Sequence, residues 1–160
     1  MRSYSSFVAV AAFAVAFSGK ASAQATQSVT FQVDAINKIS VSGDPGSMAI
    51  NTAVAGNAPT SVSDATTTWA VTTNQTNSKV TAAIDAAMPT GVTLSLGMQN
   101  PTGATSTTVS LGTVDADAVT GITKLNESGK VVTYTLAATS AAGVVSSISR
   151  TVTLTIVAGT

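Results

Sequence analysis

The sequence predicts an all-β protein, an antiparallel, immunoglobulin-like β-sandwich of seven to nine short strands. Three observations predict it. Apolar residues recur at every second position through most of the chain, the period of a half-buried strand. Thr and Val, β-branched and suited to a pleated surface, are abundant, while charged residues make up only 9% of the 160 positions, against about a quarter in an average domain. Clusters of Asn, Asp, Pro and Gly fall between the apolar rows, where turns belong.

The chain opens on an address rather than on a strand. Arg2 supplies a short positive region, Phe7 to Phe17 is an unbroken apolar run, and Ala21-Ser22-Ala23 has the small-x-small pattern of a cleavage site. Residues 1–23 therefore read as a secretory signal, removed to leave Gln24 first. The run is short of the roughly 20 residues a membrane span needs, and no later run of that kind follows, so no span remains after its removal. A single domain over 24–160 is expected. It keeps three aromatics, Phe31, Trp69 and Tyr134, and five cations against seven acids, a net charge of 5 − 7 = −2.

The strands follow in order. Val29, Phe31, Val33 and Ala35 share one phase, which Ile39 and Val41 resume after a bend near Asn37. Met48 and Ile50 suggest a short second strand. The stretch from Asn51 to Thr68 is the least periodic and reads as a long loop with one edge strand. Trp69, Val71 and Thr73 come next, then Val80, Ala82 and Ile84. Val92, Leu94, Leu96 and Met98 form a clean inward row, followed by Val109 and Leu111. Val132, Tyr134, Leu136 and Ala138, and finally Val152, Leu154, Ile156 and Ala158, complete the set. Asp44-Pro45-Gly46, Asn77-Ser78, Pro89-Thr90-Gly91 and Asn100-Pro101-Thr102-Gly103 carry turn chemistry. Asn126-Glu127-Ser128-Gly129 reads as a hairpin loop joining Ile122 to Val131, with Gly129 left-handed. Phe31, Trp69 and Tyr134 all fall in the phase of the inward rows and are expected in the core.

Composition removes most chemistry. With 0 Cys and 0 His, thiolate nucleophiles, Cys-ligated metals, disulfides and a His general base are excluded. Seven Lys and Arg in the whole chain argue against a nucleic-acid partner, which needs clustered cations. The acids Asp34, Asp44, Asp64, Asp85, Asp115, Asp117 and Glu127 sit at strand ends and turns, where such residues cap or bond their own backbone. Asp115-Ala116-Asp117 looks like a fragment of a calcium loop but stops at Ala118-Val119-Thr120, short of the required oxygens. Serine has no base beyond five lysines and no S-x-x-K or G-x-S-x-G element. The chain is not expected to be an enzyme: it has no catalytic, metal or cofactor-binding residues and no cofactor. Asn74-Gln75-Thr76 and Asn126-Glu127-Ser128 match the glycosylation acceptor pattern at the rate chance allows.

The surface is informative where the chemistry is not. Outward strand positions carry Thr, Ser and Ala rather than Lys and Glu, so edge-to-edge pairing is weakly opposed. The signal, the opening Ala25-Thr26-Gln27-Ser28-Val29-Thr30-Phe31-Gln32-Val33 and the closing Arg150-Thr151-Val152-Thr153-Leu154-Thr155-Ile156-Val157 resemble small secreted bacterial surface proteins with pilin-like or coat-protein-like sandwiches. The chain departs from many pilins in lacking a Cys pair. The resemblance implies a structural role with no catalytic residues to carry over. A secreted or cell-surface structural protein follows, with the periplasm as the other exported compartment. It would be a self-assembling filament or coat subunit whose partners are other copies of itself. The candidate donated strand is Val29, Phe31, Val33 and Ala35. The alternative is an extracellular adhesion module for a glycan or a protein, with Trp69 as the stacking aromatic.

Overall fold

The computed structural model describes residues 23–159, so the predicted signal over residues 1–23 lies, but for Ala23, outside the described residues. The chain divides into two units, Met1–Gln32 and Val33–Thr160. In the first, residues 23–32 are exposed and belong to no helix or strand. The second is all-β, with nine strands and a single 3-10 turn, Ser140–Ala142.

The strands are β1 (Asn37–Val41), β2 (Val62–Thr73), β3 (Ser78–Ile84), β4 (Val92–Met98), β5 (Thr105–Ser106), β6 (Val109–Ser110), β7 (Ala116–Ile122), β8 (Leu125–Ala138) and β9 (Val152–Val157). They form two antiparallel sheets with strand orders β1-β2-β8-β4-β6 and β5-β7-β3-β9. From β2 onward every connection crosses from one sheet to the other. The order β2-β8-β4-β6 facing β5-β7-β3 is that of a double-sheet jelly roll, with β1 and β9 added. In an immunoglobulin domain the last strand pairs with the one before it on its sheet; here β9 pairs with β3.

The core lies between the sheets, filled by the rows that the period of two marks out. Trp69 and Val71 from β2, Leu94, Leu96 and Met98 from β4, and Val132 and Tyr134 from β8 face Val80, Ala82 and Ile84 from β3 and Val119 and Ile122 from β7. Each fully buried Leu, Ile or Val contributes roughly 1.5–3 kcal/mol over its exposed state, so these rows hold the sheets face to face.

Several sequence expectations are corrected. Residues 29–35 form no strand, and Phe31, expected in the core, is 87% exposed. Met48 and Ile50 are half-buried without a ladder partner, and only an isolated bridge, Ala53 to Pro59, closes the loop that follows. Val62 to Thr68, in the stretch read as a long loop with one edge strand, is the first half of β2, which lies inside its sheet between β1 and β8. An extra residue there, between Asp64 and Thr67, shifts the register against β8 and breaks the alternation. Asn126 to Gly129 is no hairpin. It lies inside β8, and a second shift, opposite Trp69 and Val71, makes it a bulge with Gly129 at φ +68°. The left-handed glycine was read correctly and its setting was not. The glycine at positive φ beside Asp44-Pro45-Gly46 is Gly43, at +121°.

Candidate functional site

Asp64, Asp85 and Asp117 serve the fold locally. Asp64 accepts the Thr66 hydroxyl at 2.7 Å and the Thr66 and Gly46 amides at 3.1 and 3.3 Å. The Thr66 hydroxyl, with the Thr66 amide, holds its pKa below the ordinary value. Asp85 accepts the Thr151 amide at 3.0 Å, fixing the entry to β9. Asp117 pairs with Lys79 at 2.9 Å across β3 and β7. Among the described residues no three acids gather into a metal-binding group. Paired carboxylates for hydrolysis would have to share one cleft, and these acids are each engaged by a different neighbour.

Glu127 sits at the β8 bulge and closes a loop over the core. Its Oε2 meets Lys130 Nζ at 2.7 Å, and its Oε1 accepts the Thr102 amide at 3.1 Å. The Lys130 contact, then the Thr102 hydrogen bonds, bring its pKa down from 4.5 to about 2. The same loop presents the Gln99 carbonyl to Trp69 Nε1 at 3.2 Å and buries Pro101. Trp69 is 1% exposed. Neither face of its ring is open to a sugar, so the stacking role that the adhesion alternative gave it has no place in this geometry. Tyr134, the third aromatic, is also buried, and burial raises its pKa.

From β2 to β6 the outer face of the five-stranded sheet carries a row of hydroxyls. Ser63, Thr135, Ser95 and Ser110 stand opposite one another across β2, β8, β4 and β6, and the Ser63 and Thr135 hydroxyls are 2.8 Å apart. Beside them Gly97, Thr133 and Thr108 line an open groove of about 390 Å³ with no ionisable side chain in its lining. It can offer hydrogen bonds to a polar surface but has no acid, base or nucleophile with a partner. No protein family, curated protein or solved structure matches this chain.

Two apolar features remain that the fold leaves incompletely covered. The first is the predicted donated row. Val29, Phe31 and Val33 are 78%, 87% and 77% exposed, Ala35 is exposed, and none of the four is in a strand. At the end of this row the chain is fastened to the end of β2. The Asn74 side chain donates to the Asp34 carbonyl at 2.7 Å and accepts the Ile36 amide at 2.8 Å, and the Asn74 amide donates to the Ile36 carbonyl. The second feature was missed from sequence. The two sheet edges β1 and β9 lie next to each other on one side of the sandwich, and the core is incompletely covered there. Val152, Leu154 and Ile156 on β9 are half-buried, whereas their ladder partners on β3, Ile84, Ala82 and Val80, are 4%, 0% and 0% exposed. The available signal was composition: Val152–Val157 is a closing strand of six residues with no charge and no Pro.

No helix among the described residues is long and apolar enough to cross a membrane.

Proposed function

We propose that this chain is an exported structural protein, a filament or coat subunit that joins to other copies by pairing strands. The observation that carries the reading is the exposed alternating row Val29, Phe31, Val33, Ala35. A row with the pattern of a half-buried strand, lying in no strand of its own, suits a segment whose sheet belongs to a neighbour. The scarcity of charge, at 9% of residues, supports it, since a near-neutral surface favours association over dispersal. Asp64, Asp85, Asp117 and Glu127 are each engaged in contacts of the fold, which favours the surface, rather than a reaction, as the working part. Export, to the cell surface or the periplasm, belongs to the same reading and rests on the signal pattern over residues 1–23.

Size-exclusion chromatography and negative-stain microscopy test it. The purified protein elutes as concentration-dependent oligomers and yields fibres or sheets. A monomer that persists at high concentration without fibres overturns the proposal.

A further inference from the structure

Resting on that reading, we infer that the acceptor for the donated row is the outer edge of β9. Residues 28–35 of a second copy would add there as the fifth strand of the four-stranded sheet.

Four edges could take a strand. β5 and β6 have two residues each, too few to hold a strand by main-chain bonds. β1 has five, but Lys38 is the second of them, and a charged side chain on an edge opposes pairing. β9 has six residues, Val-Thr-Leu-Thr-Ile-Val, none charged and none proline, and no strand lies beyond it among the described residues.

Length and phase both fit. From Val29 to Ala35 an extended chain spans about 20 Å, at about 3.3 Å per residue, which matches a six-residue edge. Neighbouring strands present the same face in register. A strand added to β9 with Val29, Phe31 and Val33 turned inward therefore sets that row beside Val152, Leu154 and Ile156. These are the side chains whose burial on their own sheet is incomplete. Its outward residues, Thr30, Gln32 and Asp34, then lie on the face of the exposed row Thr151, Thr153 and Thr155, with the one charge, Asp34, near the end of the segment. Two apolar rows that each lack a cover inside one copy cover each other between copies. The sheets become five strands on five.

The contact joins two different surfaces, a donor segment and an acceptor edge. Such a head-to-tail interface generates an open filament wherever its rotation does not close into a ring. Each copy then holds one neighbour at β9 and is held by another through its N-terminal row.

Cysteine cross-linking tests the assignment, because the chain has 0 Cys and introduced thiols are the only ones present. Protein carrying Thr30→Cys is mixed with protein of different tag mass carrying Thr151→Cys, Thr153→Cys or Thr155→Cys, and in parallel with Ser40→Cys on β1 or Ser110→Cys on β6. All are outward-facing changes, and circular dichroism checks that each variant is folded. After assembly and mild oxidation, non-reducing gels show the mixed disulfide with at least one β9 position, at ten times or more the yield seen with Ser40→Cys or Ser110→Cys. A preferential cross-link to β1 or β6 overturns the β9 assignment while strand exchange between copies stands. Filaments without any Thr30 cross-link overturn it as well. Absence of both cross-link and filaments overturns the filament reading together with it.

Discussion

Glu127 illustrates how single residues are used in this protein. It reaches Lys130 on one side and the Thr102 amide on the other, on the sheet face shared with Val71. Its pKa lies near 2 in the folded chain against 4.5 ordinarily. A depressed folded value means that the stabilisation is fully present above pH 4.5 and is lost as pH falls toward 2. Thermal midpoints measured by circular dichroism should therefore separate wild type from Glu127→Gln above pH 4.5, with wild type the more stable, and the gap should close by pH 2. A constant gap across that range would show that the carboxylate charge is not what matters. The lone Trp69 gives a second readout, since the Glu127-held loop supplies the Gln99 carbonyl to its indole. Iodide should leave native Trp69 fluorescence largely unquenched at neutral pH. Quenching comparable to that of the unfolded chain would contradict its burial.

At the scale of elements, β8 decides the most. It runs from Leu125 to Ala138, pairs with β2 on one side and β4 on the other, and carries the Gly129 bulge. Gly129→Ala places a Cβ in a left-handed conformation, which costs about 1–2 kcal/mol, and chemical denaturation should show a loss of that size. Gly91 faces a harder constraint. Its φ is +76°, and a Cβ there would lie 2.8 Å from both the Ala142 amide nitrogen and the Thr139 hydroxyl. Gly91→Ala should therefore destabilise more than Gly129→Ala in the same denaturation experiment, and equal losses would mean that the close approach relaxes freely. These glycines also mark where the sequence could and could not be read. Val80-Ala82-Ile84 and Leu94-Leu96-Met98 were legible because alternation alone says which side chains go inward. Asn126 to Gly129 was misread because a left-handed glycine after polar residues serves a hairpin and a bulge equally well. Val62 to Thr66 was hidden because the bulge after Asp64 breaks the alternation within a strand.

At the scale of the molecule, the pairing of strands was not legible at all. Periodicity fixes faces, and nothing in Val152-Thr153-Leu154 says that β9 lies beside β3 rather than β7. The same blindness hid the open edge of β9 while leaving the exposed row visible, since Val29 to Ala35 is a local pattern and an open edge is a property of the assembled sheets. This asymmetry yields a prediction that separates folding from assembly. Leu96 is 0% exposed at the centre of the core, and Leu96→Ala should cost about 2–5 kcal/mol, lowering the thermal midpoint with or without neighbours. Phe31 is 87% exposed, so Phe31→Asp should leave the stability of the isolated subunit within about 0.5 kcal/mol, as surface changes do. If the row enters a neighbour's sheet, the same change buries an unpaired carboxylate there, and fibres should disappear from negative-stain images while the melting curve of the dilute protein stays in place. Fibres undiminished by Phe31→Asp would show that assembly runs through some other surface, and a collapsed melting curve would show that Phe31 already has a place in its own subunit.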